Sequence, residues 1–257
     1  MESFFIGLQF LTRISIVKQT VWTEDLFGKS VKFFPAVGAV LGSCYAAISI
    51  IFTILVEGSK FPMLEAAIIL TAIIFLTGAI HCDGFIDTFD GLFSGRDGEK
   101  ILEIMKDSRV GAFGAVSFVI LSIFEFATLA ELAKMPTFQI FAAIYTAPVI
   151  ARLMMVIIIG GFPYARPEGM GKAFSKYTTR STIIFAIFET LILLSPLIIF
   201  SMSFLKTLVI ALITSLIFTI YFGKFSIKKI GGVTGDIYGA VTTISEVIVL
   251  LIFLISA

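Results

Sequence analysis

The chain alternates between long, nearly uncharged apolar runs and shorter segments rich in Gly, Pro and charge. Seven runs stand out, at roughly 33–56, 63–81, 111–133, 138–160, 182–200, 204–222 and 237–256. About 20 apolar residues suffice for a helix to cross a hydrocarbon core about 30 Å thick. In lipid such runs have to be helical, because their backbone groups find no water to bond. The stretch from Met1 to Arg13 differs: its apolar run is short and no small-residue cleavage site follows. It predicts an interfacial or re-entrant helix rather than a signal peptide. The pattern as a whole predicts an all-α fold. It is a polytopic integral membrane helix bundle of about seven transmembrane helices plus that N-terminal helix, forming a single membrane-embedded domain over 1–257.

Composition agrees and removes other classes. Of 257 residues, 58% are hydrophobic and 14% charged, against about 45–50% and about 25% in an average soluble domain. A soluble globular enzyme and a disordered chain are excluded. Nineteen Lys and Arg against 18 Asp and Glu leave a net charge of +1, so there is no basic footprint for nucleic acid. Two cysteines, Cys44 and Cys82, are too few for a disulfide framework.

Charge sorts by loop. Fifteen of the basic residues fall in the N-terminal segment and in the loops at 82–110, 161–181 and 223–236. Lys60, Lys134 and Lys206 fall in the alternate loops, and Arg152 lies within a span. The positive-inside bias places the N-terminus and the three long loops in the cytoplasm and, with seven spans, the C-terminus outside. The expected location is the cell membrane, multi-pass, with an active site facing the cytoplasm.

The acids gather on the same face. Asp83, Asp87, Asp90, Asp97, Glu99, Glu103 and Asp107 all occur within 25 residues. Asp83, Asp87 and Asp90 stand at i, i+4 and i+7, which puts three carboxylates on one helical stripe. Unpaired, they would repel one another. A divalent cation relieves that, and hard oxygen ligands suit Mg²⁺, Mn²⁺ or Ca²⁺ rather than zinc. Glu103 and Asp107 form a second i, i+4 pair on what reads as the next helix, after a turn around Gly95 and Gly98. Two acidic faces joined by a turn suit one or two metal ions bridging a diphosphate. Lys106 and Arg109 add cations for phosphate oxygens. Gly84 and Gly91, also seven apart, let a substrate or a neighbouring helix approach closely. Ionisable groups set among apolar residues beside a bilayer are usually functional. His81, the one histidine, reads either as a metal ligand or general base, or as a polar residue at a helix end.

Three other polar islands carry signals. Arg152 needs a partner inside the bundle, either the acidic cluster or a phosphate, unless it snorkels to the interface. In the loop 160–172, Gly and Pro imply a defined non-helical path, and Arg166 and Lys172 suit an anionic substrate. In Ile230–Ala240, successive glycines ahead of a helix start suit an anion-binding nest. Asp236 there suits an N-cap, an acid/base group or a partner of a metal site. Glu125, Glu189 and Glu246 lie within spans without a shared role.

These motifs, taken in order, resemble the cobalamin synthase (adenosylcobinamide-GDP ribazoletransferase) family. The resemblance rests first on His81-x-Asp83-Gly84-x-x-Asp87-x-x-Asp90-Gly91, Gly95-Arg96-Asp97 and Leu102-Glu-Ile-Met-Lys-Asp-Ser-Arg109-x-Gly-Ala-Phe-Gly114. Phe34-Pro-x-Val-Gly38-x-x-x-Gly42, Pro148-x-x-x-Arg152, Tyr164-Ala-Arg166-x-x-Gly169-x-Gly171 and Gly231-Gly-x-Thr234-Gly-Asp236-x-Tyr-Gly-Ala240 extend it along nearly the whole chain. Cys82 departs from it, standing where an apolar residue such as Leu is expected.

The resemblance implies an enzyme of nucleotide loop assembly in cobalamin (vitamin B12) biosynthesis. It would move the cobinamide-phosphate group of adenosylcobinamide-GDP onto a hydroxyl of α-ribazole or α-ribazole 5′-phosphate, releasing GMP. It further implies Mg²⁺ as cofactor, with Asp83, Asp87, Asp90, Asp107 and Glu103 as ligands. Asp90 would be the base, with His81 and Asp83 also catalytic. Lys106, Arg109, Arg152 and Arg166 would bind phosphates, and Gly84, Gly91, Thr234 and Asp236 would complete the pocket. The expected partners are these substrates and the lipid bilayer, with no nucleic acid and with a homo-oligomer allowed.

The nearest enzymatic alternative is a CDP-alcohol phosphotransferase of phospholipid synthesis, which shares Asp87-x-x-Asp90-Gly91 and a later acid pair. This chain lacks the Ala-Arg that should follow, having Leu-Phe-Ser-Gly after Gly91. A membrane prenyltransferase also binds diphosphate through aspartates. A transporter would instead place its charges near the bilayer midplane within inverted repeats.

Overall fold

The computed structural model describes residues 2–18, 23–56 and 60–256. Among them the regular secondary structure is helical, apart from one isolated parallel bridge between Tyr164 and Val233. Helices α1 (Glu2–Leu11) and α2 (Glu24–Ser30), with a 3-10 turn at Val31–Phe33, lead into α3 (Phe34–Leu55). Then come α4 (Pro62–Leu76), α5 (Ile80–Leu92), α6 (Gly98–Ile104), α7 (Ala112–Leu132) and α8 (Thr137–Gly161). The chain ends with α9 (Met170–Tyr177), α10 (Arg180–Phe200), α11 (Ser203–Ile230) and α12 (Gly235–Ile255). Six helices are long and apolar enough to cross a membrane, and the bent pair α4–α5 makes a seventh if it counts as one span. The polytopic bundle expected from the apolar pattern is therefore present.

Helix α8 is the axis. Nearly every residue from Ile140 to Ile159 is buried, and α3 and α12 lie along it. The α3 contact depends on two glycines. A Cβ at Gly38 would strike the carbonyl of Pro148, and one at Gly42 would strike the backbone of Tyr145. Lipid tails are as apolar as Leu, so membrane helices associate by close packing, and small residues four apart permit it. Outward-facing positions are apolar as well: Ile184, Phe188 and Ile192 of α10 and Ile120, Ile123 and Phe124 of α7 are all exposed.

Three boundaries depart from the apolar pattern. The run expected over 63–81 stops at Leu76, and α5 leaves α4 at an angle of 85°. Two consecutive left-handed residues, Gly78 (φ 62°) and Ala79 (φ 60°), make this bend. A left-handed Ala costs roughly 1–2 kcal/mol, and the N-terminal segment helps to hold it, since Arg13 N–H donates to the Leu76 carbonyl (2.7 Å). The two short helices expected around the turn at Gly95 and Gly98 form as α5, which begins at Ile80, and α6. Helix α11 runs eight residues past its expected end at 222, carrying Lys224, Lys228 and Lys229, until Gly231 (φ 76°) closes it by donating to Ile227 O (2.8 Å).

Gly42→Leu is expected to lower the thermal unfolding midpoint in detergent by an amount equivalent to about 2 kcal/mol or more, because the α8 backbone cannot retreat. Ile51→Leu, on the exposed side of the same helix, should leave it unchanged. Equal midpoints for the two variants would refute the close-packing role.

Candidate active site at the α5–α12 crossing

Gly84 packs on the backbone of Asp236, and Gly239 packs on the backbone of His81 and Gly84. With no side chains between them, the start of α12 lies directly against α5. Gly84 thus serves helix packing and also lines the adjoining cavity. Gly91 serves packing too, since a Cβ there would strike Met105 beside α6.

The start of α12 is built from two loops. Ala165 N–H donates to Val233 O (2.8 Å), and Val233 N–H donates to Pro163 O (2.8 Å). Gly232 is confined against Pro163 O, where any Cβ would clash. In the segment Ile230–Ala240, where the glycines suit an anion-binding nest, the Gly231 and Val233 amides are spent on backbone contacts. Thr234, expected in the pocket, is the N-cap of α12: it is buried and accepts from Ile237 N–H (3.4 Å). Asp236 is then in the first turn, where a carboxylate is favoured by the helix dipole, rather than at the cap.

Arg166 donates to Asp236 Oδ2 at 2.8 Å, and Thr234 Oγ1 donates to the same oxygen at 3.2 Å. Each partner of the ion pair keeps 21% of its side-chain surface. That places the pair between a screened surface contact and a fully desolvated one, so it can open to a ligand. Burial pushes the nearby Tyr164 phenol above its ordinary pKa, so it stays protonated.

The stripe on α5 forms as the spacing predicts, but its members differ. Asp83 is exposed and Asp87 half-buried. Among the described residues neither carboxylate has a hydrogen bond or ion pair. Asp90 is committed: Gly111 N–H donates to its Oδ2 and Gly114 N–H to its Oδ1, both at 2.7 Å. These are the N-cap and third residue of α7, whose start has no side-chain cap of its own. A helix start leaves four N–H groups without intrahelical partners, and a carboxylate from another helix takes two of them. A Cβ at Gly111 or Gly114 would run into that carboxylate. Asp90, expected as the base, is thus first an anchor between α5 and α7.

The second acidic pair does not form on one helix. Helix α6 starts at the N-cap Asp97, which accepts from Lys100 N–H (3.1 Å), and ends at Ile104. Asp107 lies beyond it and accepts from both the backbone and the guanidinium of Arg109, the latter at 2.6 Å. This local turn competes with further helix, and Arg109 holds the Asp107 carboxyl down to about 2. Glu103 pairs with Lys100 at 2.6 Å. Arg109 thus faces Asp107 rather than the crossing, while Lys106 is exposed on a groove of about 520 Å³ that also includes Arg166 and Glu103.

Arg152, expected at a phosphate, is placed elsewhere. It is completely buried in α8 and ion-paired with Glu246 of α12. His81 is buried between two cavities. One is a small space lined by Phe118, Thr243, Glu125 and Glu246 among others. The other, about 260 Å³, is the main cavity of the crossing. Its lining includes the polar side chains of Asp83, Arg166 and Asp236 and the apolar ones of Phe10, Met155 and Phe174, with Phe10 and Phe174 in mutual contact. The apolar side is absent from the sequence expectation. Its only advance signal is the amphipathic pattern of Met170–Tyr177 and the apolar N-terminal helix.

Among the described residues, no three His, Cys, Asp or Glu side chains converge closely enough to hold a metal ion. The donor chemistry nevertheless suits a hard divalent cation. Asp87 lies in the field of Asp83, Asp236 and Asp90, with Arg166 the one opposing charge among those acting on it. A cation among such carboxylates would relieve their repulsion.

A family model described as cobalamin-5-phosphate synthase matches residues 3–254. The chain is 37% identical to an adenosylcobinamide-GDP ribazoletransferase of Fusobacterium nucleatum, over 99% of this chain and 98% of the relative. Relatives of the same name from Desulfitobacterium hafniense and Clostridioides difficile are 35% and 36% identical, each over 98% of this chain and 96% of theirs. No solved structure matches.

Two substitutions test the structural roles assigned above. Asp90→Ala should cost about 1–2 kcal/mol of stability and speed amide exchange at Gly111 and Gly114. Unchanged exchange there would remove the anchor. Arg152→Met should cost about 3–5 kcal/mol by stranding Glu246, and Arg152→Met with Glu246→Leu should recover most of it. A double variant as unstable as the single one would contradict the pairing.

Proposed function

This chain belongs to the cobalamin-5-phosphate synthase family, and on that premise we propose the reaction that its site carries out. It transfers the cobinamide-phosphate group of adenosylcobinamide-GDP to a ribose hydroxyl of α-ribazole or its 5′-phosphate, releasing GMP. The observation that supports this reading best is the crossing itself. An unpaired carboxylate, Asp83, and an openable ion pair, Arg166–Asp236, share one cavity, and Arg166 also belongs to the open groove with Lys106.

Arg166 and Lys106 bind the donor diphosphate and orient it at the mouth of the cavity. Asp83, the α5 stripe carboxylate that lines the cavity, accepts the proton of the attacking hydroxyl on a carboxylate oxygen. The hydroxyl oxygen bonds to the phosphorus on the cobinamide side. The bond from that phosphorus to the bridging oxygen breaks, and GMP leaves with the electron pair. Asp87 and Asp83 would hold Mg²⁺, which supplies charge for the diphosphate and for the departing GMP. Asp90, by anchoring α5 to α7, keeps the stripe in place. The basic loops on this side support an opening that faces the cytoplasm, in a protein of the cell membrane.

In liposomes containing the purified protein, GMP and completed corrinoid are expected to form from adenosylcobinamide-GDP and α-ribazole or its phosphate when Mg²⁺ is present, and to cease with EDTA. Asp83→Asn should lower kcat by about 10² or more. Full turnover by Asp83→Asn with normal metal dependence would sink its assignment. No product with either acceptor, from folded protein, would sink the reaction.

A further inference from the structure

We propose that the cavity of about 260 Å³ is the binding site for the acceptor, a nucleoside with a flat, uncharged base. The base lies on the Phe10–Phe174 side and the ribose points toward Asp83 and Asp236. This rests on the reaction proposed above and assigns one of its two substrates to a defined place.

Size comes first. The cavity lies at or just below the lower end of ordinary ligand pockets, about 300–1,000 Å³. It has room for one nucleoside, and a corrin macrocycle cannot enter it. The donor therefore reaches Arg166 from the open groove, whose volume of about 520 Å³ is twice as large and which shares only Arg166 and Gly169 with the cavity.

The walls come second. Phe10 of α1 and Phe174 of α9 meet edge to face, with ring centroids 5.2 Å apart. Phe27 and Phe34 pack on Phe174 from behind at 5.7 Å each. An aromatic wall backed in this way is rigid, and it suits stacking or edge contact with a planar base. No Lys or Arg lines that side; the cavity's one such residue is Arg166, already paired with Asp236. Asp83 and Asp236 offer carboxylate oxygens to neutral hydroxyls, which donate to them. The ribose is thereby directed to the side where the phosphoryl group arrives.

Gly235 provides the test. It lines the cavity, and a Cβ added there meets no atom within 4 Å. A side chain at this position therefore has room beside the cavity, with no backbone or side chain against its Cβ. Gly235→Leu should raise KM for α-ribazole tenfold or more while leaving KM for adenosylcobinamide-GDP within twofold, and Gly235→Ala should have a smaller effect in the same direction. Phe10→Ala, at a half-buried side chain of α1, should also raise KM for α-ribazole alone. Equilibrium dialysis of α-ribazole against the full chain in detergent, without donor or metal, should show saturable binding that Gly235→Leu weakens by the same factor. A rise in donor KM with acceptor KM unchanged would overturn the assignment and leave the reaction intact. If the wild type makes no product, the reaction reading fails, and dialysis still decides the cavity. Binding sensitive to Gly235→Leu upholds the site, and absent or insensitive binding overturns it.

Discussion

The close approach of α5 to α12 is the constraint on which the site depends. Gly84 and Gly239 leave backbone against backbone, and the consequence is chemical as well as mechanical. Asp83 projects beside the first turn of α12, where Asp236 already sits under Arg166. A residue with a side chain at position 84 would push α12 outward and separate the two carboxylates that share the cavity. The 85° bend before α5 serves the same end. A straight continuation of α4 would carry the stripe away from α12, and the cost of a left-handed Ala79 is the cost of turning it back. Backbone strain of this kind persists where surrounding structure over-determines it, and here the Arg13–Leu76 hydrogen bond and the α5–α12 packing do so.

Charge inside the bundle follows a second rule. Arg152 and Glu246 neutralise each other beside the axis helix α8. Glu65 accepts from Ser49 across α3 and α4. Glu189 accepts from Ala36 N–H at 3.2 Å, at the start of α3. Each of these acids ties two elements together, which is the use a membrane interior makes of a polar group it cannot solvate. Their work is architectural. Glu125 of α7 is an exception, buried with an oxygen that has no hydrogen-bond partner, whereas Asp83 and Asp87, also without partners among the described residues, lie at the polar end of the bundle, where a ligand can reach them.

Much of this was legible in the order of residues. The spans follow from apolar runs and the acid stripe from a 3.6-residue period, since both are local regularities. Arg152 had to have a buried partner, but the choice among acids is a matter of depth across helices 94 residues apart, and spacing along one helix does not encode that. The role of Asp90 was hidden for a related reason. The signal lay in α7, whose start at Gly111-Ala-Phe-Gly114 offers no side chain to cap it, so that an acceptor had to come from elsewhere. The pairing of Glu103 with Asp107 failed because periodicity alone ignored the Asp107–Arg109 turn that ends the helix. The aromatic wall was the least legible part, because it joins residues about 160 positions apart on two short helices, each of which reads as an ordinary apolar face.

That wall bears on how a transferase avoids becoming a hydrolase. The phosphorus of a diphosphate accepts water as readily as a sugar hydroxyl, so transfer depends on which nucleophile stands beside the base. In the proposed arrangement the acceptor fills the cavity adjoining Asp83, and its base seals the apolar side formed by α1 and α9. Water is then displaced from the position where a proton acceptor is at hand, and it remains in the open groove, where the cations bind the diphosphate. The membrane contributes by fixing the frame. Helices α8 and α12 are held along their length within the bundle, while α9 lies against them, α1 packs on α2 and α3, and both short helices line the cavity. The site is thus assembled from two layers, a rigid acidic floor carried by α5 and α12 and an aromatic cover carried by short helices. Under the proposed assignment, specificity for a flat base belongs to the cover and the phosphoryl chemistry to the floor.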